Sequence, residues 1–240
     1  MTTLLIATRN AHKVGEIRAI LGAQFQFLTL NDFPAAPKVV EDADTFVGNA
    51  KKKAVELAKW INSKHSTFNI QHSTPNFVLA DDSGLEVDAL NGAPGVHSAR
   101  FAALDRSADG SSANSSDTDN NAKLLRLLKD VPLEKRTARF RCVIALVPVP
   151  ETSIENASPV CFADEFEAHI FDGACAGRIQ FSASGQGGFG YDPLFVPDGF
   201  NASFAELGED VKNKLSHRAK ALAKLKDYFS KLPSRYLEIG

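Results

Sequence analysis

The chain has 240 residues, 44% of them hydrophobic and 23% charged, with a formal net charge of −2. This is the composition of a globular protein long enough to bury a substantial core. It offers no electrostatic case for a nucleic-acid partner or an anionic membrane surface, and no apolar run reaches the about 18 residues of a membrane span.

The segment Met1–Asn10 has no basic flank and only a short apolar run, so no signal peptide is expected. Cys142, Cys161 and Cys175 are odd in number and widely spaced. They fit reduced thiols in a cytoplasmic protein better than a disulfide framework or a zinc site. Leu4–Ala7 is a strand candidate. Asn10 then reads as an N-cap, with Val14, Ile17 and Leu21 on one helical face and Gly22 as the stop. A second helix is expected over Thr45–Ile61, with Val47, Ala50, Ala54, Leu57, Ala58 and Ile61 as its apolar stripe.

Phe77–Ala80 is the next strand, ending at Asp81-Asp82-Ser83-Gly84. Residues 105–121, rich in Ser, Asp and Asn, read as a peripheral loop. Ala122–Lys129 is a short helix. The period then changes to alternation at Arg139–Val147 and at Glu165–Ile170, which predicts half-buried strands. Residues 148–159 form a polar connection. Gly173–Gly190 is glycine-rich, with a short strand near Arg178–Phe181. A last helix begins at Ser216, with Leu222, Leu225 and Phe229 on one face. The pattern predicts one α/β domain with a mixed β-sheet flanked by helices, open to being drawn out into two lobes.

Five clusters could carry chemistry. Asp81 and Asp82 at a strand end suit a hard cation, though Asp, Ser and Gly are also ordinary turn residues. Thr8-Arg9-Asn10-Ala11-His12-Lys13 spans a strand-to-helix junction, where free N–H groups hold phosphates; a plain capped helix is the competing reading. Ser216-His217-Arg218, with Lys212 upstream, puts cations at a helix start that opposes them unless an anion binds. Gly185–Gly190 spells Gly-x-Gly-x-x-Gly, but Tyr191-Asp192-Pro193 follows where a dinucleotide fingerprint needs a helix. What remains is a flexible loop whose aromatics either stack on a base or pack in the core. Asn49 and Lys53 share a helix face and Glu41 lies just before it; Lys51–Lys53 would otherwise be a solvated stripe.

Taken in order, these blocks, with Gly92-x-Pro94-Gly95-x-x-Ser98-Ala99-Arg100 and Phe204-Ala205-Glu206-Leu207, resemble the inosine triphosphate pyrophosphatase family from about Leu5 to Leu225. The resemblance implies Mg²⁺-dependent hydrolysis of ITP, dITP and XTP to the monophosphate and pyrophosphate, with Mn²⁺ as a substitute metal. It also implies an elongated α/β fold, a nucleotide site in the cleft between two lobes, and a homodimer. By motif, Asp82 becomes the catalytic carboxylate, a metal ligand and base for the attacking water, with Glu41 and Asp81 as further metal ligands. Thr8, Arg9, Asn10, Ala11, His12, Lys13 and Lys53 would hold the triphosphate, and Ser83 would contact substrate. Phe189, Gly190, Tyr191 and Asp192 would enclose the base, with Lys212, His217 and Arg218 reaching the nucleotide. Gly48 departs from the pattern, which usually has glutamate there, and the stretches at 105–121 and 151–159 look long. Two competing readings are a related pyrophosphatase for modified pyrimidine nucleotides and a nucleotide sensor without turnover. Gly48 is the one feature that favours the sensor.

Overall fold

The computed structural model describes residues 1–64, 74–105, 114–150 and 166–232. The expected insert at 151–159, Cys161, and residues 106–113 of the polar stretch lie outside them. The elements are β1 (Thr3–Ile6), α1 (Ala11–Leu21), β2 (Gln26–Thr29), α2 (Phe46–Lys64), β3 (Phe77–Val87), α3 (Asp117–Leu127), β4 (Thr137–Pro148), β5 (His169–Ile179), β6 (Phe195–Pro197), α4 (Phe204–Leu215) and α5 (His217–Lys231). The strands make one sheet in the order β2-β1-β3-β4-β5-β6. β1 pairs in parallel with both β2 and β3, and β5 pairs antiparallel with β6, so the sheet is mixed as expected. No helix among the described residues is long and apolar enough to cross a membrane.

The chain divides into two compact units. One comprises Met1–Asp82, Val143–Phe171 and Leu222–Gly240, the other Ser83–Cys142 and Asp172–Ala221. In the first unit, Leu4, Leu5 and Ile6 of β1 and Val78 and Leu79 of β3 are buried with Ala50, Ala54, Leu57, Ala58 and Ile61 of α2. Phe25 and Phe77 both meet Phe229 of α5, with centroids 5.0 and 5.3 Å apart. In the second unit, Leu85, Phe101, Leu124, Phe140, Ile179, Tyr191, Phe195 and Phe204 form the core.

Four elements differ from expectation. β3 does not stop at Ala80 but continues through both aspartates to Val87, and it is buried along nearly its whole length. Turn propensity yields here to pairing within a sheet. Phe46 faces the core of α2, while Val47 is 44% exposed. Helix α3 begins at Asp117, capped by Ser116, so the last part of the presumed loop is helix. β5 starts at His169 rather than at the alternating residues before it, and it absorbs two glycines of the presumed loop. A Cβ at Gly173 would lie 2.1 Å from the His217 carbonyl oxygen, and one at Gly177 would lie 2.3 Å from that of Val196. Glycine is thus required there by close backbone approach within a strand, which composition alone reads as a loop. β2 and α4 carry no strong periodic signal and were not anticipated.

Candidate active site

The acidic site lies in the first unit. Asn10 caps α1 as expected, its side chain accepting from the Lys13 N–H at 3.1 Å. The Thr8 hydroxyl accepts from the Asn10 N–H at 3.1 Å. Arg9 to His12 stand exposed at this helix start, and Lys13 turns inward to pair with Asp81, which is 2% exposed. From α2, the Lys53 ammonium donates to Glu41 at 2.6 Å and to the Asp81 carbonyl oxygen at 3.0 Å. Two lysines from two helices therefore converge on the middle of β3.

Asp82 is 7% exposed. Burial pushes its carboxyl up from 3.8 to about 6; Lys13 and Lys53 pull it down, Glu41 pushes it up, and a hydrogen bond from Asn49 lowers it. Its Oδ2 is buried with no hydrogen-bond partner among the described residues. A carboxyl held near neutrality beside two lysines can accept a proton or a cation. Glu41, Asp81 and Asp82 are not gathered into one ligand cluster: among the described residues no group of three or more His, Cys, Asp or Glu side chains is placed to hold a metal. The lysines hold Asp81 and Glu41 instead. At Gly48, a Cβ would stand 2.7 Å from the Ala43 Cβ and 3.0 Å from the Thr45 hydroxyl. The 43–45 segment folds over the helix start, so a glutamate here would have to displace it.

The aromatic site lies in the second unit, on the loop between β5 and β6. Asp192 is 1% exposed, and its Oδ2 accepts from the Phe189 N–H at 2.8 Å and from the Lys212 ammonium at 2.5 Å. Gly188 has φ +73°, and a Cβ there would meet that same Oδ2 at 2.3 Å. Phe189 is half-buried, with the Lys212 Nζ 4.5 Å and the Arg218 Cζ 5.9 Å from its ring centroid. Arg218, 1% exposed, donates to the Ser83 hydroxyl at 2.9 Å, so it touches the residue that follows Asp82 in the chain. His217 stacks on Phe140 at 4.8 Å. Tyr191 is placed differently from Phe189: its ring is buried in the core and its hydroxyl donates to the Ser98 carbonyl oxygen at 2.9 Å. Burial, and secondarily the Asp117 carboxylate, pushes that phenol above its usual range.

Each expected residue except Tyr191 and His217, whose rings pack internally, therefore lies in one of two polar clusters. Asn49, singled out with Lys53 in the sequence but given no role there, proves to be a hydrogen-bond partner of Asp82.

The Ham1 family model matches residues 4–228. The dITP/XTP pyrophosphatase of Geobacter sulfurreducens is 47% identical over 229 residues, covering 95% of this chain and 96% of that protein. The dITP/XTP pyrophosphatase of Desulforamulus reducens is 43% identical over 230 residues, with 95% and 96% covered. Among solved structures, a HAM1 protein from Coxiella burnetii aligns with a TM-score of 0.72 at 31% identity, covering 97% of this chain and all of that one. The nucleoside-triphosphatase / dITP/XTP pyrophosphatase of Mycobacterium abscessus aligns with a TM-score of 0.65 at 35% identity, over 93% and 98%.

Proposed function

This chain belongs to the Ham1 family, and from that premise we propose that it hydrolyses non-standard purine nucleoside triphosphates, dITP, ITP and XTP, to the monophosphate and pyrophosphate. The observation that carries the reading is Asp82, a buried carboxyl raised to about 6 and flanked by Lys13 and Lys53. Phosphoanhydride hydrolysis needs charge neutralisation and a positioned water more than a covalent nucleophile. Asp82 takes the proton of the attacking water. Lys13 and Lys53, released from Asp81 and Glu41 by the stronger charge of the triphosphate, neutralise its oxygens. Thr8 and the exposed residues Arg9 to His12 add helix-start N–H groups to the same anion.

A hard divalent cation fits the donor set, because Asp82 offers a buried oxygen with no hydrogen-bond partner among the described residues and such ions take carboxylate oxygens. Mg²⁺, with Mn²⁺ as a substitute, is the reading; Asp82 would hold it, with Asp81 and Glu41 as the neighbouring acids. When bound it supplies positive charge to the phosphates.

The base is assigned to the second cluster. Phe189 stacks on the purine, Gly190 and Asp192 shape the loop beneath it, and Lys212 borders it, while His217, its ring packed on Phe140, lies behind the cluster. Ser83 and Arg218 complete the contact set. A homodimer acting in the cytoplasm, with one two-lobed domain per chain, belongs to the same reading.

Incubation with ITP and Mg²⁺ should release pyrophosphate as the first product; direct release of orthophosphate would overturn the assignment. Arg218 is the donor proposed for the 6-oxygen. Arg218→Ala should lower the preference for ITP over ATP in kcat/KM by about tenfold or more, the worth of a charged hydrogen bond. An unchanged ratio would remove Arg218 from that role.

A further inference from the structure

Asp117 and Asn121 stand one turn apart on the same face of α3, a helix the proposed chemistry does not use. The Gly190 N–H donates to Asp117 Oδ2 at 2.7 Å, and Asn121 Nδ2 donates to the Gly190 carbonyl oxygen at 3.0 Å. These two groups belong to the two peptide planes on either side of Gly190. Gly190 itself sits at φ +64°, where it has no side chain to restrict it. Rotation about its two torsions would swing the Phe189 ring. The helix removes that freedom by holding both planes at once.

The chemistry of Asn121 supports a role beyond packing. Its Oδ1 is buried with no hydrogen-bond partner among the described residues, a cost that a leucine of similar size would not carry. The bond to Gly190 is the contact that offsets it. The neighbouring tethers point the same way: Asp192 holds the Phe189 N–H, and Ser98 holds the Tyr191 hydroxyl. Unlike the Tyr191 ring, the Phe189 ring is only half-buried, and the Phe189 N–H and both polar groups of the Gly190 backbone are held.

We propose that Asp117 and Asn121 are positioning residues that clamp the Gly190 peptide and so hold the Phe189 ring at the angle that receives a purine base. This rests on the reading of Phe189 as the base platform. The clamp acts on base recognition and leaves the phosphate chemistry alone.

The test is steady-state hydrolysis of ITP by Asp117→Ala, Asn121→Leu and their double variant, beside Phe189→Ala. Each clamp variant should raise KM by about tenfold, within the range that one stacked base is worth, with kcat within about threefold of the parent. The double variant should not exceed Phe189→Ala, because all three remove one platform. Inhibition by inorganic triphosphate, which carries no base, should be unchanged. Asp117→Asn keeps an acceptor oxygen and should restore KM. Ser116→Ala removes the helix cap without touching Gly190, and should lower Tm but not raise KM. A double variant with parental KM, while Phe189→Ala raises it, would overturn the clamp alone. KM and the triphosphate inhibition constant rising together would also overturn it, since that marks general loosening. If Phe189→Ala leaves KM unmoved, the base-platform reading itself fails.

Discussion

Asp82→Asn should lower kcat by about 10²–10⁴-fold or more, the range general-base removal produces, while ITP still binds. The same change should make the protein more stable. The folded-state carboxyl sits at about 6 against an ordinary 3.8, chiefly because burial disfavours its charge. At neutral pH the group is ionised in both states, and only the folded state carries the desolvation cost. Below the ordinary value it is protonated in both, and the cost vanishes. Stability held back by Asp82 is therefore regained as pH falls from about 6 to about 4, with a ceiling of about 3 kcal/mol. Asparagine carries no such charge at any pH. In chelator-treated protein, Asp82→Asn should melt higher than the parent at pH 7, by up to roughly 5–10 °C for a chain of this size, and the gap should close toward pH 4. Loss of turnover with a lower Tm would mean that the carboxylate serves the fold and not the chemistry. A site that costs stability to maintain is the ordinary signature of function.

The same residue shows how far the sequence could be read. Asp81 and Asp82 follow an apolar run and precede Ser-Gly, and local propensity makes that a turn. The strand continues because sheet pairing and two inward-reaching lysines make buried aspartates tolerable, and neither lysine is near in sequence. The helices α1, α2 and α5 were legible from periodicity and from Asn10 and Gly22. β2 and α4 were not: β2 is four residues long, and α4 is interrupted at Gly208, whose φ of +77° breaks the helical pattern. Glycines 173 and 177 misled for a physical reason, since composition cannot distinguish glycine chosen for freedom from glycine chosen for close approach. The proposed site residues were picked out because their blocks resemble a family, and the structure brings most of them into two polar clusters. The contacts made by Asp117 and Asn121 were not, because polar residues in a Ser/Asp/Asn-rich stretch give no sign of which backbone they will meet.

The buried pair that anchors the loop between β5 and β6 should give the largest loss of stability. Lys212 and Asp192 are 3% and 1% exposed and lie 2.5 Å apart. Lys212→Met leaves a deeply buried carboxylate without its ammonium, and breaking such a pair from one side costs about 3–5 kcal/mol. Tm should fall by roughly 10 °C. KM for ITP should rise as well, since the cation beneath the Phe189 ring is lost. The double variant Lys212→Met/Asp192→Leu separates the two effects. Replacing both charges with apolar groups removes the desolvation cost together with the attraction, so most of the lost Tm should return. KM should not return, because leucine gives the Phe189 N–H no acceptor and the loop loses the anchor that orients the ring. A single variant that melts within a few degrees of the parent would mean that water reaches the pair. A double variant that regains KM as well as Tm would mean that Asp192 acts only by balancing the charge of Lys212 and has no part in shaping the loop.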